Sequence, residues 1–175
     1  IKSMNSEKFK ELINKRKPDA IFLGGGWPEL IPEWVIDKYQ NSIFNTHPSL
    51  LPNFRGTSVT RWQIMKGEEF SGVTIHKVDK SFDTGNILLQ EKFKIIPNQS
   101  PQNLFKSSSY VAAELVSYLF KKTKNLSYLK EIDEIKQIDL EGSKNYYSKW
   151  SWQTNNLRIE LNNNSLNNIE RFIRA

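Results

Sequence analysis

The sequence contains no cysteine. That excludes disulfides, Cys-ligated zinc sites and thiol nucleophiles. It has only 2 histidines, His47 and His76, too few for a His-rich metal site, and no metal is expected. No stretch is long and apolar enough to span a membrane, and the first residues do not read as a signal peptide. The expected setting is therefore the cytoplasm, with no membrane partner. A dinucleotide fingerprint is also missing. Gly24-Gly25-Gly26 follows an apolar stretch, but the G-x-G-x-x-G spacing and its βαβ context are absent.

What is present is an ordinary globular composition. At 175 residues, with 38% apolar and 25% charged residues, one compact domain with a real core is expected. A net charge of +6 favours anionic partners such as nucleotide phosphates, folate carboxylates or nucleic acid. A solvated, Lys-rich surface accounts for it equally well.

The periodicity predicts a helix within residues 1–17, where Phe9, Leu12 and Ile13 share a face and Asn5 or Ser6 caps. Asp19–Leu23 reads as a short buried strand. A short helix over Pro32–Tyr39 and a strand over Ser42–Asn45 follow. The alternation argues for an α/β layered domain with a mainly parallel sheet. Ligands in such sheets sit beyond the carboxyl ends of the strands. Gly24–Trp27 and Asn45–His47 both lie there. Gly56–Gly67 reads as a helix, Gly72–Val78 and Asn86–Gln90 as strands, and a long helix runs from Ser100 to about Lys122. Residues 121–139 are charged and read as helix fragments and loop. Residues 142–152 are dense in aromatics, and Ser165–Arg174 reads as a last amphipathic helix. The division expected is a core over 1–122 and a C-terminal extension over 123–175.

One stretch carries the polar chemistry. Ile43-Phe-Asn-Thr-His-Pro-Ser-Leu-Leu-Pro-Asn-Phe-Arg-Gly56 is followed by Gly72-Val-Thr-Ile-His-Lys-Val-Asp79 and by Asp83-Thr-Gly85. On an extended backbone Asn45 and His47 lie on the same side. Asp83 falls in a loop between strands, where chemistry is often placed. Leu50 and Leu51 are odd in a loop: they suit a wall for a flat apolar ligand, or a loop tucked under a helix. Arg55 suits a phosphate or an ordinary surface. Phe82-Asp-Thr-Gly85 is also an aspartic-protease signature, but that chemistry needs two carboxylates sharing a proton, and the chain has one such triplet.

The run HPSLLPNFRG, the preceding Asn45-x-His47 and the later GVTIHKVD…DTGNILLQ together resemble the folate-dependent formyltransferases, clearly over residues 19–95. The resemblance implies a Rossmann-like three-layer domain. It implies transfer of a formyl group from 10-formyltetrahydrofolate to an amine, with Asn45, His47 and Asp83 as the catalytic set and no metal. The reaction passes through a tetrahedral intermediate with an oxyanion. Asn45 and His47 suit that oxygen as donors. His47 suits proton shuttling. Asp83 either fixes the His47 tautomer or takes the amine's proton through water. Trp27, Leu30, Ile31, Leu50, Leu51 and Asp79 become folate contacts by the same resemblance, although Trp27 serves equally as core. His76 is left as structural or supporting.

Three branches of the family fit. Tyr146-Tyr147 and Ile173-Arg174-Ala175 resemble the nucleotide-sugar branch, which formylates amino sugars for surface polysaccharide. Arg55, Tyr146, Tyr147 and Trp150 are then acceptor contacts. The partner expected is a small nucleotide sugar, with nucleic acid disfavoured and a homodimer left open. The glycinamide ribonucleotide and methionyl-tRNA branches are the alternatives, and a folate-binding piece without turnover is the non-enzyme one. Family members begin with further βα units before the point where this chain starts, and they continue past Ala175. By that comparison the chain resembles an internal piece lacking the first βα units, with an exposed sheet edge.

Overall fold

The computed structural model describes residues 3–24, 27, 29–122, 129, 132–142, 144–149 and 165–175. Helix α1 (Glu7–Arg16) is capped by the Ser6 hydroxyl, which accepts from the Phe9 N–H. It leads to strand β1 (Ile21–Leu23), helix α2 (Glu33–Lys38) and strand β2 (Ile43–His47). Then come the short β3 (Arg55–Gly56), helix α3 (Val59–Lys66) and the hairpin of β4 (Phe70–Lys77) and β5 (Ile87–Lys94). The long helix α4 (Pro101–Lys122), a 3-10 turn at Gln137–Asp139, strand β6 (Tyr146–Tyr147) and helix α5 (Leu166–Arg174) complete the order.

The main sheet has the order β1-β2-β4-β5. β1 and β2 are parallel, β2 and β4 antiparallel, and β4 and β5 antiparallel. The sheet is thus mixed. The α/β crossover expected from sequence gives its parallel pair, and a hairpin adds the antiparallel strands. β1 forms one edge among the described residues.

Alternation along the strands sorts side chains into two layers. Leu23 and Ile43 pack with Phe9, Ile13 and Val35 of α1 and α2. Phe44, Ile75 and Leu88 pack with Leu119 of α4 on the other face. A third cluster joins Ile64 of α3 to Leu104 of α4 and Ile95, with Ala175 against it. Helix α5 exposes part of its apolar stripe: Leu166 is 84% and Ile173 73% accessible. No helix among the described residues is long and apolar enough to cross a membrane.

The parallel register pairs Leu23 with Asn45, and the antiparallel register pairs Asn45 with His76. Because side chains alternate, Asn45 and His47 share the Ile43 face, at the carboxyl end of β2. The fold therefore delivers both to one place without any loop having to bend them in.

Candidate active site

Asn45, His47, His76 and Asp83 meet at the floor of a cavity of about 520 Å3. His47, His76 and Asp83 are buried. Asp83 stands on a left-handed backbone (φ 55), a conformation that an aspartate tolerates better than most residues. It turns its carboxylate back onto the sheet. Asp83 Oδ1 accepts from Asn45 Nδ2 at 3.2 Å, and it lies 3.5 Å from His47 Nδ1 and 3.3 Å from His76 Nε2. Asp83 Oδ2 accepts from the Gly56 N–H at 2.9 Å. Its partners are two imidazoles and two N–H donors, with no second carboxylate among them. The protease reading of the Asp-Thr-Gly triplet has no counterpart here.

Gly56 is required at its position. It has φ 102, and an added Cβ would overlap the Tyr147 carbonyl. The close approach of β3 to β6 thus aims the Gly56 N–H at Asp83. Gly85 is similar: a Cβ there would strike the Lys77 carbonyl.

The imidazoles have assignable protons. His47 Nε2 lies 2.7 Å from the Phe54 carbonyl, and His76 Nδ1 lies 2.7 Å from the Lys77 carbonyl. Carbonyls only accept, so each ring gives a proton to its carbonyl. The neutral His47 ring then turns a bare nitrogen toward Asp83 Oδ1. His76 Nε2 lies 3.2 Å from Asn45 Nδ2 and 3.3 Å from Asp83 Oδ1. His47 Nδ1 is left beside the carboxylate as a proton acceptor.

Electrostatics supports that assignment. Burial lowers the His47 pKa below its ordinary 6.5, while Asp83 and the Phe54 carbonyl offset only part of the effect. Burial opposes ionisation of Asp83. The charge that His47 can carry, the His76 contact and the Gly56 N–H outweigh it and hold Asp83 at about 2. At neutral pH the floor is one carboxylate facing one neutral base.

Residues 2–117 match the family model described as formyl transferase. The chain belongs to that family. It is 37% identical over 115 residues to the methionyl-tRNA formyltransferase of Koribacter versatilis, covering 66% of this chain and 36% of that one. It is 33% identical over 174 residues to the bifunctional polymyxin resistance protein ArnA of Wigglesworthia glossinidia brevipalpis, covering 99% and 25%. Among solved structures, the N-formyltransferase from Helicobacter canadensis in complex with folinic acid and dTDP-3-aminofucose superposes with a TM-score of 0.66 at 27% identity. That match covers 84% of this chain and 51% of the other. The chain spans between 25% and 40% of the length of the curated relatives it matches.

In this member of the family the sequence-derived residues fall into three groups. Trp27, Leu30, Ile31, Asp79 and Tyr146 line the cavity with the floor residues. Leu50, Leu51, Arg55 and Tyr147 do not line it. Leu51 is 2% exposed, with its N–H on Thr74 Oγ1 and its carbonyl on Gln90 Nε2. Leu50 lies over Gly72. Leu51 is therefore packed interior against β4 and β5, and half-buried Leu50 covers β4; neither lines the cavity. Tyr147 stacks on Phe54 with ring centroids 4.9 Å apart, and Trp62 leans on it at 5.4 Å. This is a packing cluster. Arg55 donates through Nε and Nη2 to Gln137 Oε1 at 3.0 and 2.7 Å. Trp150, Trp152 and Gly25-Gly26 lie outside the described residues.

Two residues that the sequence left aside belong to the site. His76 touches both Asn45 and Asp83. Its signal was the polar position in an apolar strand, but only the β2–β4 register reveals its neighbour. Gln137, from a segment without periodicity, offered no signal.

Proposed function

We propose that this chain is the catalytic module of an N-formyltransferase that moves a formyl group from 10-formyltetrahydrofolate to the amine of a nucleotide-linked amino sugar, for surface polysaccharide. The observation that carries the reaction is the meeting of Asn45, His47 and Asp83 within 3.5 Å on the cavity floor. The acceptor class rests on the Helicobacter canadensis enzyme, whose complex holds a dTDP-3-aminofucose. It rests also on a cavity wall that offers Tyr146, Phe82 and Lys149, an aromatic face and a cation suited to a sugar diphosphate. With a folate and a nucleotide sugar as its substrates, the reaction proposed is a cytoplasmic one.

The residues present fit a folate. Trp27, Leu30 and Ile31 form an apolar side of the cavity, and Trp27 Nε1 is buried without a hydrogen-bond partner. An unpartnered indole N–H beside an apolar wall suits a flat heteroaromatic ring with acceptors on its edge. When bound, the folate supplies an activated formyl group.

The protein's part is proton handling and charge stabilisation. His47 Nδ1, bare at neutral pH, would take a proton from the attacking amine and return it to the folate nitrogen that leaves as its bond to the formyl carbon breaks. The imidazolium so formed then donates at both nitrogens, to Phe54 and toward Asp83. Asp83 stabilises that cation and keeps the ring oriented. Asn45 holds its amide hydrogens on Asp83 and His76, and turning one toward the reacting carbonyl oxygen makes it the donor for developing negative charge.

The test is formyl transfer from 10-formyltetrahydrofolate to 3- and 4-amino sugar nucleotides, with glycinamide ribonucleotide and charged initiator tRNA alongside. Turnover confined to one amino sugar nucleotide supports the reading. A second reading, a methionyl-tRNA acceptor, is favoured by the 37% identity to the Koribacter versatilis enzyme. It would show as turnover on the tRNA alone.

A further inference from the structure

The segment after α4 is stitched to the loop that carries Asp83. Glu134 pairs with Lys77 and accepts from Asn86 Nδ2 at 2.9 Å. Ile135 and Ile87 exchange both backbone hydrogen bonds at 2.9 Å. Gln137 then reaches furthest in. It is 2% exposed and comes from beyond the residues 2–117 that match the family. Its Nε2 donates to the Asp83 carbonyl at 3.0 Å and to the Gly85 carbonyl at 2.7 Å. Its Oε1 takes two N–H groups of Arg55. Arg55 in turn precedes Gly56, whose N–H holds the Asp83 carboxylate.

Both routes end on the same residue. The Gln137 amide holds the backbone of Asp83 directly, and it holds the side chain through Arg55 and Gly56. A left-handed backbone suits an aspartate, but it does not by itself fix where the carboxylate points; the bonds to its carbonyl and to its side chain do that. Gln137 supplies such a constraint from outside the motifs and outside the cavity lining.

We propose that Gln137 is a positioning residue for Asp83, tying the C-terminal segment to the catalytic loop. This rests on the formyl-transfer reading for its effect on rate, but its geometric content stands apart from it. Two variants separate the two ends of the amide. Gln137→Glu keeps an acceptor for Arg55 but removes the donor to the loop. Gln137→Met removes both.

The experiment uses the protein expressed from its natural start to its natural stop, with Gln99→Leu as a control. Gln99 bonds Ser107 and the Ile96 N–H, away from the cavity. Turnover number, KM values and the titration of the His47 ring by NMR are read together. The ring faces Asp83, with His76 beside it. Both Gln137 variants should lose about tenfold to a hundredfold in kcat, the scale of misplacing a reacting group by an ångström, with KM little changed. Both should lower the His47 titration midpoint further, because the anion that supports the imidazolium moves away. The control should do neither.

A folded Glu variant with wild-type kcat and an unmoved His47 titration would overturn the proposal. So would a loss confined to KM. Absence of formyl transfer by the wild type would sink the proposed function, and the NMR titration would still decide on Gln137. Should both variants fail to fold, the wild type answers: the Gln137 side-chain N–H groups must exchange slowly with solvent. Free exchange would contradict the tether.

Discussion

At the floor of the cavity, Asp83 has a partner for each carboxylate oxygen and for its own carbonyl. The wall differs. Trp27 Nε1 and Thr57 Oγ1 are buried there with no hydrogen-bond partner. Leu30 is 51% and Tyr146 53% exposed. The floor is built by strand register and is closed on itself. The wall is built by loops and by β6, and it leaves donors and apolar surface unused. Unmade hydrogen bonds inside a protein cost about 1–3 kcal/mol each, so a ligand that satisfies them gains accordingly. The contrast fits the two tasks proposed: chemistry at the floor and choice of ligand at the wall.

That contrast is broken most sharply at Asp83. Asp83→Asn should keep the fold and cut turnover about a thousandfold, because the imidazolium loses its counter-charge while shape is kept. Steady-state kinetics with KM close to wild type would confirm it. Asn45→Ala should cost about a hundredfold in kcat, the scale of removing one oxyanion donor. A change confined to KM would move Asn45 from floor to wall.

On the wall the effects should be smaller and fall on binding. Tyr146→Ala should raise the acceptor KM several-fold, for about 1 kcal/mol of lost ring contact, and leave kcat unchanged. Trp27→Phe should weaken folate binding by less than about tenfold, the net worth of one hydrogen bond, as read by calorimetry. Neither should alter the pH profile.

Stability against pH sharpens the same division. His47 has a folded pKa below its ordinary 6.5, so the unfolded chain binds the proton more readily. Its contribution is complete above about 6.5 and is lost as pH falls toward the folded value. Asp83 is also depressed, from 3.8 to about 2. Its contribution is present above 3.8 and disappears as pH falls through 2. Both signs agree: acid should destabilise the protein in two stages. Denaturant midpoints across pH should show the lower stage vanish in Asp83→Asn.

Much of the floor was legible in the sequence. Asn45 and His47 stand at i, i+2 on a strand, so period-2 geometry alone puts them on one side. Asp83 before Thr-Gly announced a turn next to a strand end. His76 was visible as a residue and invisible as a partner, because strand pairing is a long-range choice that local pattern does not encode. Leu50 and Leu51 were apolar for two different reasons in prospect, and the structure sets Leu50 over Gly72 and Leu51 against Thr74 and Gln90, a strand surface that local pattern could not name. Gln137 was out of reach for a physical reason. Its role lies in the geometry of its amide, and an amide in a charged, aperiodic segment resembles any surface glutamine. The antiparallel hairpin was likewise readable as two strands, while their pairing direction came from the short connection at residues 78–86.

The most direct test is single-turnover formyl transfer to an amino sugar nucleotide by the natural-length protein, comparing wild type with His47→Ala. The account predicts transfer by the wild type and its loss in the variant, with folate binding retained. Transfer at the wild-type rate without the His47 ring would contradict it, and so would a folded wild type that binds folate but formylates no acceptor.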